Sequence, residues 1–410
     1  MPYDLAPMSS DPLLSWRPLF PIAETTTYLV SHSLGAMPRT VYDRMREFAD
    51  TWATRGVRAW SEGWWSMPVD VGNVLARVLD APAGSVVMHQ NVSVIESLIA
   101  SSLEFKAPRN RVVYSDLNFP TVMYVWEAQR RHGAEIVTVK SRDGMTVELE
   151  DMLKAIDERT LVVPISHVLF KSSFLQDAAA IVKRAHEVGA MVILDCYQST
   201  GTVPFSVREL NVDMVVGGSV KWLCGGPGAG YLYVRPDLMG RFEPAITGWA
   251  AHAAPFAFEP GPIRYAGDIR RFLHGSPGVP ALYAARAGYE IIAEVGVKAI
   301  REKSLRLTQW LIGAAEEQGW RVTSPKEPSR RGGTITVAFD DPLDPKTIGP
   351  AMAAELQRRE VLVDHRPGAG VRVSPHLYTT QGDLERFIAE ARSILETKAY
   401  KTHLGAKIAH

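Results

Sequence analysis

From Val86 to Val234 the chain alternates short, wholly apolar runs with stretches whose apolar residues recur at helical spacing. Arg111-Val112-Val113-Tyr114-Ser115, Glu135-Ile136-Val137-Thr138-Val139, Leu161-Val162-Val163-Pro164-Ile165, Met191-Val192-Ile193-Leu194-Asp195 and Asp213-Met214-Val215-Val216-Gly217 are short and rich in β-branched residues. Such runs predict strands buried on both faces. Between them, Leu175 to Val188 puts Ala178, Ile181, Val182 and Ala185 on one side of a helix that Gly189 closes. Strands alternating with helices predict an α/β unit, a mostly parallel sheet covered on both faces, with its chemistry beyond the carboxyl ends of the strands.

Beyond about residue 285 the texture changes. Ala287 to Gly319 and Thr347 to Glu360 read as long amphipathic helices, with short strands at Gly333 to Phe339 and Val371 to Val373. A smaller α+β domain is therefore expected. The division is an N-terminal segment over 1–50 packing on the small domain, a large domain over 51–285, the small domain over 286–398 and a frayed tail over 399–410. Pro325 to Arg331 and Asp340 to Pro345 read as turns.

Composition narrows the functional classes. Of 410 residues 46% are hydrophobic and 22% charged, which describes a folded globular protein. Lys and Arg total 45 against 45 Asp and Glu, so no overall field favours nucleic acid as a partner. The two cysteines, Cys196 and Cys224, are too few for a disulfide framework or a thiolate zinc site, so no metal is expected. The opening Met1-Pro2-Tyr3-Asp4 lacks a basic leader, and no apolar run reaches the roughly 18 residues that cross a bilayer. A cytoplasmic protein without a membrane partner is expected.

The chemistry centres on two residues. Asp195 ends one buried strand, and Lys221 follows 26 positions later, just after the next. Both are thereby placed at the ligand edge of the sheet. An acid against a pyridine nitrogen and an amine joined to an aldehyde are what pyridoxal phosphate asks of a protein. On spacing alone, a strand-end Asp and a surface Lys remain the plain alternative. Three other motifs are set aside. Gly225-Gly226-Pro227-Gly228-Ala229-Gly230 leads into a strand rather than a helix and reads as a tight turn. The Trp60 to Trp65 run has no basic stripe beside it and reads as a pocket wall or subunit contact. Ser219 lacks the final glycine of a hydrolase elbow.

The words around the pair carry a resemblance. Ser166-His167-Val168, Asp195-Cys196-Tyr197-Gln198-Ser199 and Gly218-Ser219-Val220-Lys221-Trp222-Leu223-Cys224-Gly225-Gly226-Pro227-Gly228 together resemble the class V aminotransferase superfamily of fold-type I pyridoxal-phosphate enzymes, and within it the kynureninases. Ser31-His32-Ser33-Leu34-Gly35, Asn118-Phe119-Pro120-Thr121, Gly248-Trp249, Arg301-Glu302-Lys303-Ser304-Leu305 and Gly370-Val371-Arg372-Val373-Ser374-Pro375 extend the likeness from about residue 28 to 390.

The resemblance implies a seven-stranded large-domain sheet and pyridoxal 5'-phosphate as cofactor. Lys221 would be the Schiff-base lysine and Asp195 the partner of the ring nitrogen. Gln198 would meet the ring hydroxyl, Phe119 would stack on the ring, and Val92, Ser93 and Ser219 would hold the phosphate. Arg372 would grip the α-carboxylate of an amino-acid substrate, with Trp60 and Trp249 walling its side chain. Trp249 and Ser276 resemble residues that related homodimers insert into the partner's site. The implied reaction is kynureninase-like hydrolysis of the β,γ carbon bond of an aryl-ketone amino acid, releasing alanine. Transamination, β-elimination and non-catalytic cofactor binding are the alternatives. The chain departs from the kynureninase pattern at Arg58-Ala59-Trp60, Val122, Gln198, Val220 and Ser276.

Overall fold

The computed structural model describes residues 11–339 and 345–405. Among them seven strands form one sheet in the order Val86–His89, Gly230–Val234, Met214–Gly218, Met191–Asp195, Thr160–Ser166, Arg111–Ser115 and Glu135–Val139. The five strands expected from the apolar runs are all present to within a residue. Gly230–Val234 runs antiparallel to both of its neighbours, and the remaining pairings are parallel.

The unbroken apolar runs follow from two covered faces. Side chains alternate across a strand, so neighbours in sequence enter different cores. Val112, Val162, Ile193 and Val216 pack with Ile95 and Leu98 of the helix Val92–Ala100. Val113, Val163, Val192, Leu194 and Val215 pack on the other side with Ile181, Val182 and Ala185. Those last three lie on the helix Ala178–Glu187, which starts later than the expected Leu175. Asp177 caps it by accepting from the Ala180 N–H, and Leu175 instead pairs with Val168 in an isolated bridge.

A second, antiparallel sheet has the order Asp364–Arg366, Gly370–Val373, Ile335–Ala338, Arg321–Val322. Leu307, Leu311, Met352, Leu356, Phe387 and Ile394 from the helices Val297–Glu317, Pro345–Arg358 and Gln381–Thr397 share its core. The single helix expected over 287–319 is in fact two, Val279–Val295 and Val297–Glu317. Gly296, at φ +82°, separates them in a region open chiefly to glycine.

Residues 11–50 are divided between neighbours. Thr27–Tyr28 pairs in parallel with Val361–Leu362, and Arg17 reaches Asp383 at 2.7 Å and the Tyr378 carbonyl at 2.6 Å. The helix Thr40–Arg55 packs instead on Val279–Val295. At the other end, Ala399–His403 is not frayed: it forms a 3₁₀ turn that buries Tyr400 in the second core. Residues 406–410 of the expected tail, 340–344 of the expected turn and the opening Met1 to Asp4 lie outside the described residues. No helix among the described residues is long and apolar enough to cross a membrane.

Candidate active site

Asp195 closes its strand opposite Ser166 and Val216, so its carboxylate emerges at the carboxyl edge of the parallel strands. Lys221 follows Met214–Gly218 at the same edge. The two line one cavity of about 220 Å³ together with Val92, Ser93, Phe119 and Gln198. Six of the residues singled out in the sequence are thus brought to one place. The Lys221 Nζ lies 5.6 Å from the centroid of the Phe119 ring and 4.3 Å from that of Tyr197. Tyr197 can occupy that position because Gly218 has no side chain: a Cβ there would overlap the phenol ring.

Burial governs the electrostatics. Loss of water pulls the Lys221 ammonium well below its ordinary range; Asp195 opposes that shift and Arg372 adds to it. Burial pushes the Asp195 carboxyl up, against the Tyr197 N–H, which donates to its Oδ1 at 2.9 Å, and against Lys221. An amine shifted toward its neutral form is the state that attacks a carbonyl carbon.

The cavity's other end can take an anion. Asn91 caps the helix Val92–Ala100 by accepting from the Val94 N–H at 3.0 Å, which leaves the Val92 and Ser93 amides at its open end. The hydroxyls of Ser93 and Thr121 lie 3.2 Å apart, and both residues line the cavity. On the ring side, Gln198 Nε2 donates to the His32 carbonyl at 3.0 Å, and its Oε1 accepts from Trp222 Nε1 at 2.8 Å. The second hydrogen of Nε2 remains for a ligand. An amine, a carboxylate, an aromatic face, an amide donor and a helix-end anion cradle in one cavity fit pyridoxal phosphate.

Arg372 is placed differently from expectation. It is 2% exposed and opposes Asp364 across two antiparallel strands. Its Nε donates to Asp364 Oδ1 at 2.7 Å, its Nη2 to Oδ2 at 2.5 Å and its Nη1 to the Phe170 carbonyl at 2.6 Å. Arg372 does not itself line the cavity that holds Lys221 and Asp195, although Phe170, whose carbonyl it holds, does. Nη1 and Nη2 each keep a second hydrogen that a carboxylate can take.

The other predicted residues likewise do not line the cavity within this chain. Ser219 is fully buried; its hydroxyl donates to the Ala229 carbonyl at 2.7 Å and pairs with Tyr289, which directs it into packing rather than toward a phosphate. Trp60 stacks on Trp65 at 4.5 Å, and Trp65 meets the edge of Trp249 at 4.8 Å. Ser276 is exposed in the turn before Val279–Val295. A larger cavity of about 720 Å³, bordered by His167, Phe205 and Arg330, contains neither Lys221 nor Asp195. Thr121, Phe170 and Tyr197 were missed as lining residues; Thr121 and Tyr197 sit inside the recognised words but only folding turns them inward.

Comparison with known proteins agrees with this geometry. The aminotransferase class V family model matches residues 27–387. The chain belongs to that family. This class V chain is 30% identical over 415 residues to the kynureninase of Pseudomonas fluorescens, covering 97% of this chain and 95% of that one. It is 29% identical over 411 residues to the kynureninase of Burkholderia pseudomallei strain 1106a, covering 95% of this chain and 94% of the relative, and it is therefore a kynureninase-like member. The cysteine desulfurase of Thermococcus onnurineus superposes with a TM-score of 0.82 at 20% identity, covering 93% of this chain and 98% of that one. A C-DES mutant with glycine covalently linked to its cofactor superposes equally well, with a TM-score of 0.82 at 17% identity, covering 92% and 98%. The fold is that of fold-type I enzymes, and the class V chain is a pyridoxal-phosphate-dependent enzyme.

Proposed function

We propose that this enzyme adds water across the β,γ carbon bond of an α-amino acid bearing an aryl ketone, yielding alanine and an aryl carboxylic acid. The observation that carries the reading is the joint lining of one cavity by Lys221, Asp195 and Phe119, with the likeness to kynureninases over nearly the whole chain in support. Pyridoxal phosphate, when bound, supplies a ring that takes up the electrons left by loss of the α-proton. Val92, Ser93 and Thr121 would hold its phosphate, Asp195 would meet its ring nitrogen, and Phe119 would cover one face of the ring. Lys221 would hold its aldehyde carbon and, once released, move the α-proton at Nζ. Arg372 receives the α-carboxylate on its free edge. Phe119 and Phe170, edge to face at 5.2 Å, give the cavity aromatic walls suited to a flat side chain. Gln198 and Ser276, where the chain leaves the kynureninase pattern, favour a second reading as a β-eliminating lyase or transaminase on the same cofactor.

We also propose a homodimer with shared sites. Trp249, Phe256 and Phe258 are 38%, 57% and 74% exposed and touch one another beside Trp65, an apolar patch of the kind a second copy covers.

The cofactor assignment is tested by borohydride reduction of the yellow protein, which should fix the added mass on the Lys221 peptide; Lys221→Ala should give none. The reaction is tested with a panel of amino acids. Alanine plus an aryl acid supports hydrolysis, whereas dependence on an oxo acid or release of ammonia would replace it with the second reading.

A further inference from the structure

The turn Ser31 to Gly35 touches each part of the site through a different atom. Gly35 N–H donates to the Val220 carbonyl at 2.7 Å, and a Cβ on Gly35 would overlap the carbonyl oxygen of Lys221 itself. The His32 carbonyl accepts from Gln198 Nε2 at 3.0 Å. The His32 ring, 1% exposed, spans Ser374 Oγ on Nδ1 at 2.5 Å and Asp364 Oδ1 on Nε2 at 2.7 Å.

Asp364 Oδ1 is also the atom that receives Arg372 Nε. One carboxylate oxygen therefore takes the imidazole on one side and the guanidinium on the other. Burial first, and then Arg372, lower the His32 pKa to about 4, so the ring is neutral near pH 7 and its single N–H can point at Asp364. Nδ1 then accepts from Ser374, whose oxygen meets Thr334 Oγ1 at 2.7 Å. With its partners supplied on each side, such a buried network favours one geometry.

We propose that His32 is a positioning residue: it fixes the Asp364 carboxylate so that the free edge of the Arg372 fork faces the α-carboxylate of the substrate. The proposal rests on Arg372 as the carboxylate partner. A bidentate grip demands orientation, because a fork rotated by a small angle presents one N–H instead of two. The His32 ring acts on the substrate through Asp364 and Arg372, and the backbone carbonyl that Gln198 uses is kept in a side-chain variant, so loss of the ring weakens recognition of the carboxylate and spares the amine-linked chemistry at Lys221.

The test uses the cofactor-loaded enzyme and two probes that differ by a carboxylate, L-alanine and ethylamine, each titrated against the cofactor's visible band. Wild type should respond to alanine at far lower concentration. His32→Phe should raise the alanine concentration needed at least tenfold and leave that for ethylamine unchanged, with the cofactor still bound. His32→Gln, whose side-chain amide can again donate to Asp364, should recover most of the loss, and Asp364→Asn should show the His32→Phe pattern if the phenylalanine variant fails to fold. Equal weakening of both probes, or an unchanged alanine response in both His32→Phe and Asp364→Asn, overturns the proposal. Arg372→Ala separates the two levels. If it keeps the wild-type preference for alanine, the carboxylate assignment itself is wrong; if it loses the preference while His32→Phe keeps it, the fault lies with His32 alone.

Discussion

Glu96 lies fully buried in the helix that begins at the anion cradle, with Oε2 accepting from Trp126 Nε1 at 2.9 Å and Oε1 unpartnered among the described residues. Burial, then the nearby Asp195, raise its pKa from 4.5 to about 8. The folded protein thus keeps a proton that the unfolded chain loses, and stability falls as pH rises from about 4.5 to about 8. Glu96→Gln still offers Trp126 an oxygen, so urea unfolding across that window should show a shallower decline, with a difference on the order of a few kcal/mol at the upper end. A parallel decline in both proteins would mean that Glu96 does not titrate there. Arg372 carries an opposite liability. Truncation to alanine strips Asp364 of its bidentate partner and leaves it with His32 and, at 3.2 Å, Arg366. Because Arg366 and His32 stay, the loss is expected to fall below the about 3–5 kcal/mol of a buried carboxylate left wholly unpaired. Adding Asp364→Asn to Arg372→Ala should recover part of it in a thermal melt. Asp195 and Lys221 could be placed at the sheet edge because apolar runs mark the strand ends before them, whereas Ser93 and Gln198 were legible only through the words that resemble the family. Arg372 could be identified but not its engagement with Asp364, which depends on the register of a strand only three residues long.

At the scale of elements, the expected strands form because each wholly apolar run feeds two cores at once, a signal that periodicity alone transmits. Helix ends were less visible. Leu175 continues the helical spacing, yet a bridge to Val168 claims it and Asp177 sets the true start. The break at Gly296 was hidden because apolar residues persist on both sides of it. Two element-level predictions follow from local geometry. Thr380 accepts from the Asp383 N–H while Asp383 accepts from Thr380, a reciprocal cap on Gln381–Thr397. Thr380→Ala should cost about 1 kcal/mol in equilibrium unfolding without changing the cofactor spectrum. Gly35→Ala should act in the opposite sense. Its new methyl group would press on the Lys221 backbone, so cofactor retention in gel filtration should suffer more than the melting temperature.

Across the whole molecule, the proposed site draws on His32, Ser93, Asp195, Lys221 and Arg372, so its parts depend on different amounts of folded chain. Asp195 ends a strand of the large sheet and Lys221 follows the next one, whereas Arg372 and Asp364 lie on the second sheet. Local opening of the second sheet would release the carboxylate grip while the amine and acid stayed in place. In rising urea, the preference for alanine over ethylamine should therefore vanish before the visible band does; simultaneous loss would indicate one cooperative unit. The antiparallel strand Gly230–Val234 has a related consequence for how the protein is made. Because it lies directly beside Met214–Gly218, the lysine sits in the 219–229 connection between sheet neighbours, a closure local in sequence that demands less chain entropy than pairing with a distant strand. During synthesis the reactive amine can settle into its place as soon as this hairpin joins the sheet, long before the arginine has left the ribosome.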